Sequence, residues 1–254
     1  MANEPAKSSE PRVLTSIATY NERENLPLLV QEIHRLNPQV DVLVVDDNSP
    51  DGTGTLADDL ATNDPRIRVL HRAGKLGLGT AILDGMRFAI DRDYAIFVTM
   101  DADFSHHPRY LPALIAGTKD HDVVIGSRYI PGGGTVNWPL SRKFMSWGVN
   151  FLVRLLMRIP ARDTSGGFRA YRVDHLRRTN LDDFWSKGYS FQEEMLLRCK
   201  LADAKIVETP IVFEDRRLGT TKVNYREIVH SLGTLVQLGL CTMIGRGPKP
   251  KPPE

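Results

Sequence analysis

Two carboxylates separated by one small residue, Asp101-Ala102-Asp103, follow the apolar run Tyr94-Ala95-Ile96-Phe97-Val98-Thr99-Met100. The run reads as a buried strand. A carboxylate at the carboxyl end of such a strand is poorly placed for packing and well placed for a ligand. Two of them offer hard oxygen donors to Mg²⁺ or Mn²⁺, ions that share their coordination with phosphate oxygens. The chemistry this favours is group transfer from a nucleotide. The plainer alternative for any single D-x-D is a solvated turn.

His106 and His107 come next in the chain. Oxygen donors suffice for such an ion, so a histidine ligand is the less expected arrangement. Asp46-Asp47-Asn48-Ser49 could accept hydrogen bonds from base N–H groups or ribose hydroxyls, or form a turn capped by Asp51. Tyr20 and Glu22 pose the same choice, between an aromatic stack with a ribose contact and a simple strand-to-helix turn. A sugar nucleotide and a phosphate acceptor are both anionic, and bringing them together needs fixed positive charge. Candidates are Arg128 after the fifth strand, Arg142 before an apolar helix, and Arg216, Arg217 and Lys222 in a loop with Gly219. Each alone is an ordinary surface residue, and its interest comes from the loop that carries it. Glu194 is a candidate sugar-hydroxyl or base-position residue, against a salt bridge on a helix. Gly77-Leu78-Gly79 is too short for a dinucleotide fingerprint, and no GxxxxGK[ST] is present.

Elements that must position these groups alternate along the first half. Strands are expected at 12–19, 40–45, 67–70, 94–100 and 123–126, with helices at 26–36, 55–61, 80–90 and from Pro108 to about 119. That order implies an α/β fold with a mostly parallel central sheet flanked by helices, Rossmann-like in its nucleotide-binding half. The polar clusters all fall at the carboxyl ends of strands, where such folds bind ligands. The second half is less regular, with helices at 144–158 and 191–201, a strand at 205–213 and a charged loop at 214–224.

The chain has 254 residues, 41% hydrophobic and 25% charged, with a net charge of +2. This mild balance, without a zinc-finger or similar motif, argues against a nucleic-acid binder. Cys199 and Cys241 lie far apart, as expected of reduced thiols in a cytoplasmic protein. Residues 1–11 and the Pro/Lys tail 245–254 are expected to be disordered. The catalytic unit is expected over 12–227. The apolar segment 228–244 contains His230, Ser231, Thr234 and Gln237, so it spans a bilayer badly and suits a core or interfacial helix.

Several motifs occur in order: Thr19-Tyr20-Asn21-Glu22-Arg23-Glu24-Asn25-Leu26, Asp46-Asp47-Asn48-Ser49-Pro50-Asp51-Gly52-Thr53, Lys75-Leu76-Gly77-Leu78-Gly79-Thr80 and Asp101-Ala102-Asp103-Phe104-Ser105-His106-His107-Pro108. Gly126-Ser127-Arg128-Tyr129, Ser165-Gly166-Gly167-Phe168-Arg169 and Lys187-Gly188-Tyr189-Ser190-Phe191-Gln192 complete the set. Together, over roughly 13–239, they resemble the dolichol-phosphate (polyprenyl-phosphate) mannosyltransferases of glycosyltransferase family 2, which have the GT-A fold.

The resemblance implies inverting transfer of mannose from GDP-mannose to a dolichyl or polyprenyl phosphate, with Mg²⁺ or Mn²⁺. It implies a guanosine pocket of Ala18, Tyr20, Glu22, Val45 and Asp47, with backbone from Met100 and Ala102. Asp101 and Asp103 would hold the metal, and Ser105 is a weak third ligand where some members have Gln. Arg128, Arg216 and Lys222 would contact donor or acceptor phosphates, and Arg142 and Ser146 the lipid phosphate. The family's pattern often has Pro where Ala18 stands, and the two C-terminal membrane helices of some members are missing, as in a short form. Peripheral association with the cytoplasmic side of a membrane follows, with a membrane-anchoring subunit as a further partner. Glucose transfer from UDP-glucose and a non-catalytic nucleotide-sugar-binding module are the competing readings.

Overall fold

A computed structural model describes residues 11–186, 188, 190–214, 225–249 and 251, the side chains of 225–230 excepted. Seven strands form the central sheet. They are β1 (Val13–Thr19), β2 (Val40–Asp46), β3 (Ile67–His71), β4 (Ile96–Asp101), β5 (Val123–Ser127), β7 (Arg169–Arg172) and β8 (Ile206–Pro210), in the order β3-β2-β1-β4-β7-β5-β8. β1 pairs in parallel with β2 and β4, β2 with β3, and β5 with β8. A second, two-stranded sheet joins β6 (Gly134–Val136) and β9 (Val212–Glu214).

Alternation along the strands builds two cores. Val42 and Val44 face a layer holding α1 (Leu26–Leu36), α2 (Thr53–Asn63) and α4 (Leu111–Gly117), through Leu29, Ile33, Ala57 and Leu114. Leu43 and Val45 face the opposite core. It is closed by α3 (Leu78–Asp91), α5 (Leu140–Met157), α6 (Val173–Arg178), α7 (Phe191–Leu201) and α8 (Tyr225–Met243), through Met86, Met157, Leu176, Leu196 and Leu238. Side chains on successive strand residues point to opposite faces, so near-continuous apolar runs follow from burial on both sides.

The mostly parallel sheet agrees with the sequence. β7 departs from it: after β6 and α5 the chain returns through the 158–168 loop and runs antiparallel to both β4 and β5. The expected single strand at 205–213 divides after Pro210: the Ile211 amide still donates to the Ser127 carbonyl at 3.0 Å, while its carbonyl accepts the Gly134 amide at 3.0 Å and hands the chain to β6. β8 joins the main sheet and β9 pairs with β6.

The apolar C-terminal segment is one helix, and it docks on the domain. Leu235 and Leu238 are buried in the main core. A Cβ at Gly239 would meet Leu156 Cβ at 2.7 Å, so the missing side chain lets α8 approach α5 closely. Among the described residues no helix is long and apolar enough to cross a membrane.

Candidate active site

The carboxyl ends of β1, β2 and β4 lie side by side. Register places Val45, Ala18 and Asp101 in one row across them, with Thr19 opposite Asp46. Asn21 and Asn48, just beyond β1 and β2, adopt left-handed backbone at φ 61° and 56°. Asparagine tolerates this conformation, and it turns the chain sharply away from each strand end.

On the β2 side, Asp46 shapes the turn: the Thr19 hydroxyl donates to it at 2.8 Å, and the Ser49 amide and hydroxyl donate at 3.0 and 2.6 Å. Asp47 is buried and pairs with Arg72 Nη1 at 2.6 Å. Burial raises its carboxyl above the ordinary range against the pull of Arg72. Half-buried Tyr20 lies under Lys75, whose Nζ is 4.7 Å from the ring centroid. Glu22 accepts from Asn25 Nδ2 at 2.8 Å, and its amide donates to Thr53 Oγ1 at 3.0 Å. Asp47, Tyr20 and Glu22 thus rim one corner. Ala18 is half-buried, while Met100 and Ala102 are buried and leave mainly backbone to a ligand. Val45 has no exposed surface and packs in the core, so its side chain lines no pocket. Sequence reasoning missed Arg72, although a cation directly after β3 follows the same strand-end rule.

At β4, the Asp101 side chain is 42% exposed while the Asp103 residue is buried. Ser105 N donates to Asp103 Oδ1 at 3.1 Å, and Phe104 between them has φ 63°. His106 fixes this strained turn. Its Nδ1 accepts the Asp101 amide at 3.0 Å, which puts the ring proton on Nε2. The ring stacks on Phe168 at 5.0 Å and meets the edge of Phe213 at 5.6 Å. His106 therefore positions the carboxylates, and its Nδ1 is not available to a metal.

Among the described residues no three His, Cys, Asp or Glu side chains cluster as a metal site. The turn after β4 offers two carboxylates and the Ser105 hydroxyl, which is buried without a hydrogen-bond partner. An orphaned oxygen and two carboxylates within one five-residue turn, 101–105, are a donor set of a chemistry that fits Mg²⁺ or Mn²⁺ completed by ligand oxygens, and does not fit zinc.

The cation just beyond β5 is held by a carboxylate from a distant loop. Arg128 Nε and Nη2 bind Asp163 Oδ2 and Oδ1, both at 2.7 Å, and its amide donates to Oδ2 at 2.9 Å. Nη2 also reaches Ser165 Oγ at 2.9 Å. Burial works to raise the Asp163 carboxyl, and the Arg128 charge overrides it, leaving the group below the ordinary range. Arg128 thus locks the 163–166 loop to β5 and offers no bare charge.

Trp138 gathers two of the expected cations: Arg142 lies 4.0 Å and Arg128 5.3 Å from its ring centroid. The Tyr129 hydroxyl donates to Ser146 Oγ at 2.7 Å. Arg128, Arg142 and Ser146 therefore share one corner, although sequence reasoning missed the indole that joins them. Buried Asn150 anchors α5 there, accepting the Thr164 amide at 2.6 Å and donating to Ser165 Oγ at 3.2 Å. Arg216, Arg217 and Lys222 lie outside the described residues.

Glu194 takes the salt-bridge alternative. It is fully buried, pairs with Arg198 at 2.8 Å, and accepts the Trp185 and Ser186 amides at 3.1 and 2.8 Å. With every oxygen engaged it is a structural anchor. Its neighbour Glu193 is buried with Oε2 unpartnered, and burial pushes its carboxyl from 4.5 up to about 7. Arg169, Asp163 and Arg128 set the remaining field on it. The folded state therefore keeps this proton where the unfolded chain has released it. Stability falls as pH rises from about 4.5 to about 7, and the loss persists above. Glu193→Gln should raise the melting temperature at about pH 8, by the equivalent of ~3 kcal/mol at most, and leave it nearly unchanged at about pH 4. Equal melting shifts at both pH values would contradict a buried, neutral Glu193.

The model of the family described as "Glycosyl transferase family 2" matches residues 16–179. An undecaprenyl-phosphate mannosyltransferase of Micrococcus luteus is 46% identical over 229 residues, 90% of this chain and 94% of that protein. The chain belongs to glycosyl transferase family 2. A second family relative, the polyprenol monophosphomannose synthase of Mycolicibacterium smegmatis, is 45% identical over 231 residues, 90% of this chain and 87% of that one. Among solved structures, glucosyl-3-phosphoglycerate synthase from Mycobacterium tuberculosis, in complex with Mn²⁺, UDP and phosphoglyceric acid, superposes with TM-score 0.64 at 17% identity, covering 95% of this chain and 80% of that one. The mannosyltransferase PcManGT from Pyrobaculum calidifontis, in complex with GDP-Man and Mn²⁺, gives TM-score 0.61 at 17% identity, covering 96% and 67%. These likenesses show the fold, which is the GT-A arrangement expected for a family 2 glycosyltransferase.

Proposed function

We propose that this family 2 enzyme transfers mannose from GDP-mannose to a polyprenyl or dolichyl phosphate, with inversion, at a membrane surface. The observation that carries the lipid-phosphate acceptor is the two-sidedness of α5. Arg142 and Ser146 stand on its site-facing side, at the corner built around Trp138 and Tyr129. Another side exposes Leu140, Phe144, Trp147, Phe151 and Leu155, with Leu140 and Phe144 72% exposed. Their spacing of three or four residues makes one continuous apolar stripe. Exposed side chains of α8, including Leu240 and Met243, add to the apolar surface. An anion site and a bilayer-facing stripe on one helix suit a phosphate carried on a long apolar chain. The two relatives named for polyprenyl-phosphate mannosyl chemistry support the same reading.

In the reaction the acceptor phosphate is already an oxyanion near neutral pH, so no general base is required. Holding two anions in line and stabilising the departing nucleotide dominate. Tyr20, Glu22 and Asp47 are assigned to the nucleoside beside Ala18, with backbone from Met100 and Ala102; fully buried Val45 takes no part. Asp101 and Asp103, with Ser105 as the third oxygen, would hold Mg²⁺ or Mn²⁺. The ion, when bound, offsets charge on the diphosphate. Arg142 and Ser146 orient the acceptor phosphate, and Arg128 acts by fixing the loop beside it. Arg216 and Lys222 are assigned to phosphates from the sequence resemblance.

Transfer of label from GDP-mannose into a polyprenyl phosphate tests the chemistry. The membrane half has its own test in Phe144→Asp/Trp147→Asp. This variant should lose flotation with liposomes and transfer to vesicle-embedded acceptor, yet keep most transfer to a detergent-dispersed short-chain acceptor. Undiminished flotation would remove the stripe from the account.

A further inference from the structure

The start of α7 carries a polar group that none of these assignments uses. Gln192 is only 6% exposed, and its Oε1 is buried without a hydrogen-bond partner. Its backbone carbonyl is engaged separately, accepting Arg169 Nη1 at 2.7 Å, so the segment is held in place independently of the side chain. The amide borders the carboxylate corner. A Cβ built on Gly167 would lie 3.4 Å from Gln192 Nε2, 3.5 Å from His106 Cε1 and 3.9 Å from Asp101 Oδ1. Gln192 and Asp101 therefore flank the same small space, left open because position 167 has no side chain.

Buried acceptors without partners are rare, and an orphaned Oε1 on an amide whose Nε2 borders the carboxylate corner is explained by a donor arriving with the ligand. An amide presents an acceptor and donors together, which matches a hydroxyl or a pair of adjacent hydroxyls. We infer that Gln192 contacts the hydroxyls of the transferred pyranose and sets which sugar is accepted. This deepens the mannosyl-transfer reading and rests on it. A site that hydrogen-bonds a substrate hydroxyl discriminates far better than an apolar pocket, because the wrong epimer leaves the buried group unpaired.

The experiment compares wild type with Gln192→Ala and Gln192→Met, the second preserving side-chain bulk. Each is assayed for transfer from GDP-mannose and GDP-glucose to a polyprenyl phosphate, and for GDP and GDP-mannose affinity by calorimetry. Both variants should keep GDP affinity within about twofold. They should lose roughly a hundredfold in kcat/KM for GDP-mannose and much less for GDP-glucose, so that selectivity collapses. Gly167→Ala, whose added methyl meets only ordinary contacts, should fold normally and weaken GDP-mannose binding while sparing GDP. Unchanged selectivity in folded Gln192 variants, or a parallel loss of GDP affinity, would overturn the inference. A wild-type enzyme that transfers nothing from GDP-mannose would instead overturn the reading beneath it.

Discussion

Asp103→Asn should reduce transfer by about a thousandfold or more while leaving the fold intact. The asparagine keeps an oxygen for the Ser105 amide, which now donates to Asp103 Oδ1 at 3.1 Å, so the turn retains its hydrogen bond. What disappears is one of two negative charges at the end of β4, the feature that suits this corner to a divalent ion holding a diphosphate. His106 still accepts the Asp101 amide and still stacks on Phe168, so the melting temperature should move by no more than a few degrees. Steady-state assay beside circular dichroism separates the two quantities. Near wild-type turnover would remove the metal assignment, and loss of the fold would show that Asp103 is a structural residue.

The second large effect is on stability. Asp163→Ala leaves the Arg128 guanidinium without its partner in a place where its side chain is 8% exposed. Breaking a buried ion pair from one side costs about 3–5 kcal/mol, which corresponds to a fall of roughly 10 °C in the melting temperature of a chain this size. Replacing both partners, as in Arg128→Met/Asp163→Leu, should recover much of that stability, since the desolvation of two charges goes with them. It should not recover activity, because the 163–166 loop that holds Asn150 and α5 loses its polar anchor. A single variant that melts like the parent would contradict a buried pair. A double variant with full activity would contradict the positioning role of Arg128.

The parallel half of the sheet was legible because each strand is an apolar run ended by polar residues, and the site clusters sit on those ends. The site's orientation was harder to read. Arg128 was expected at a phosphate from the family resemblance, while by itself it reads as an ordinary surface cation. Its partner Asp163 is remote in sequence, and only the fold reveals the pairing. β7 escaped notice because Arg-Ala-Tyr-Arg is short and charged at both ends, yet Arg169 is fully buried, held by the carbonyls of Thr164 and Gln192. On α7 every residue from Phe191 to Cys199 is buried. A helix buried all round has no polar face to mark the site. Sequence reasoning therefore left Glu194 open between a sugar contact and a salt bridge, the second of which the fold shows, and passed over Gln192, which borders Asp101. Arg142 and Ser146 were legible as candidates; the apolar stripe beside them needed the exposure of each side chain.

The most direct test offers radiolabelled GDP-mannose and UDP-glucose, separately, with a polyprenyl phosphate and Mg²⁺ or Mn²⁺, and follows label into the organic phase by thin-layer chromatography. The account predicts a labelled polyprenyl-phosphate mannose from GDP-mannose, absent without the lipid phosphate, and little product from UDP-glucose. Transfer from UDP-glucose with none from GDP-mannose would contradict the mannosyl assignment. Tight nucleotide-sugar binding without transfer from either donor would contradict catalysis itself.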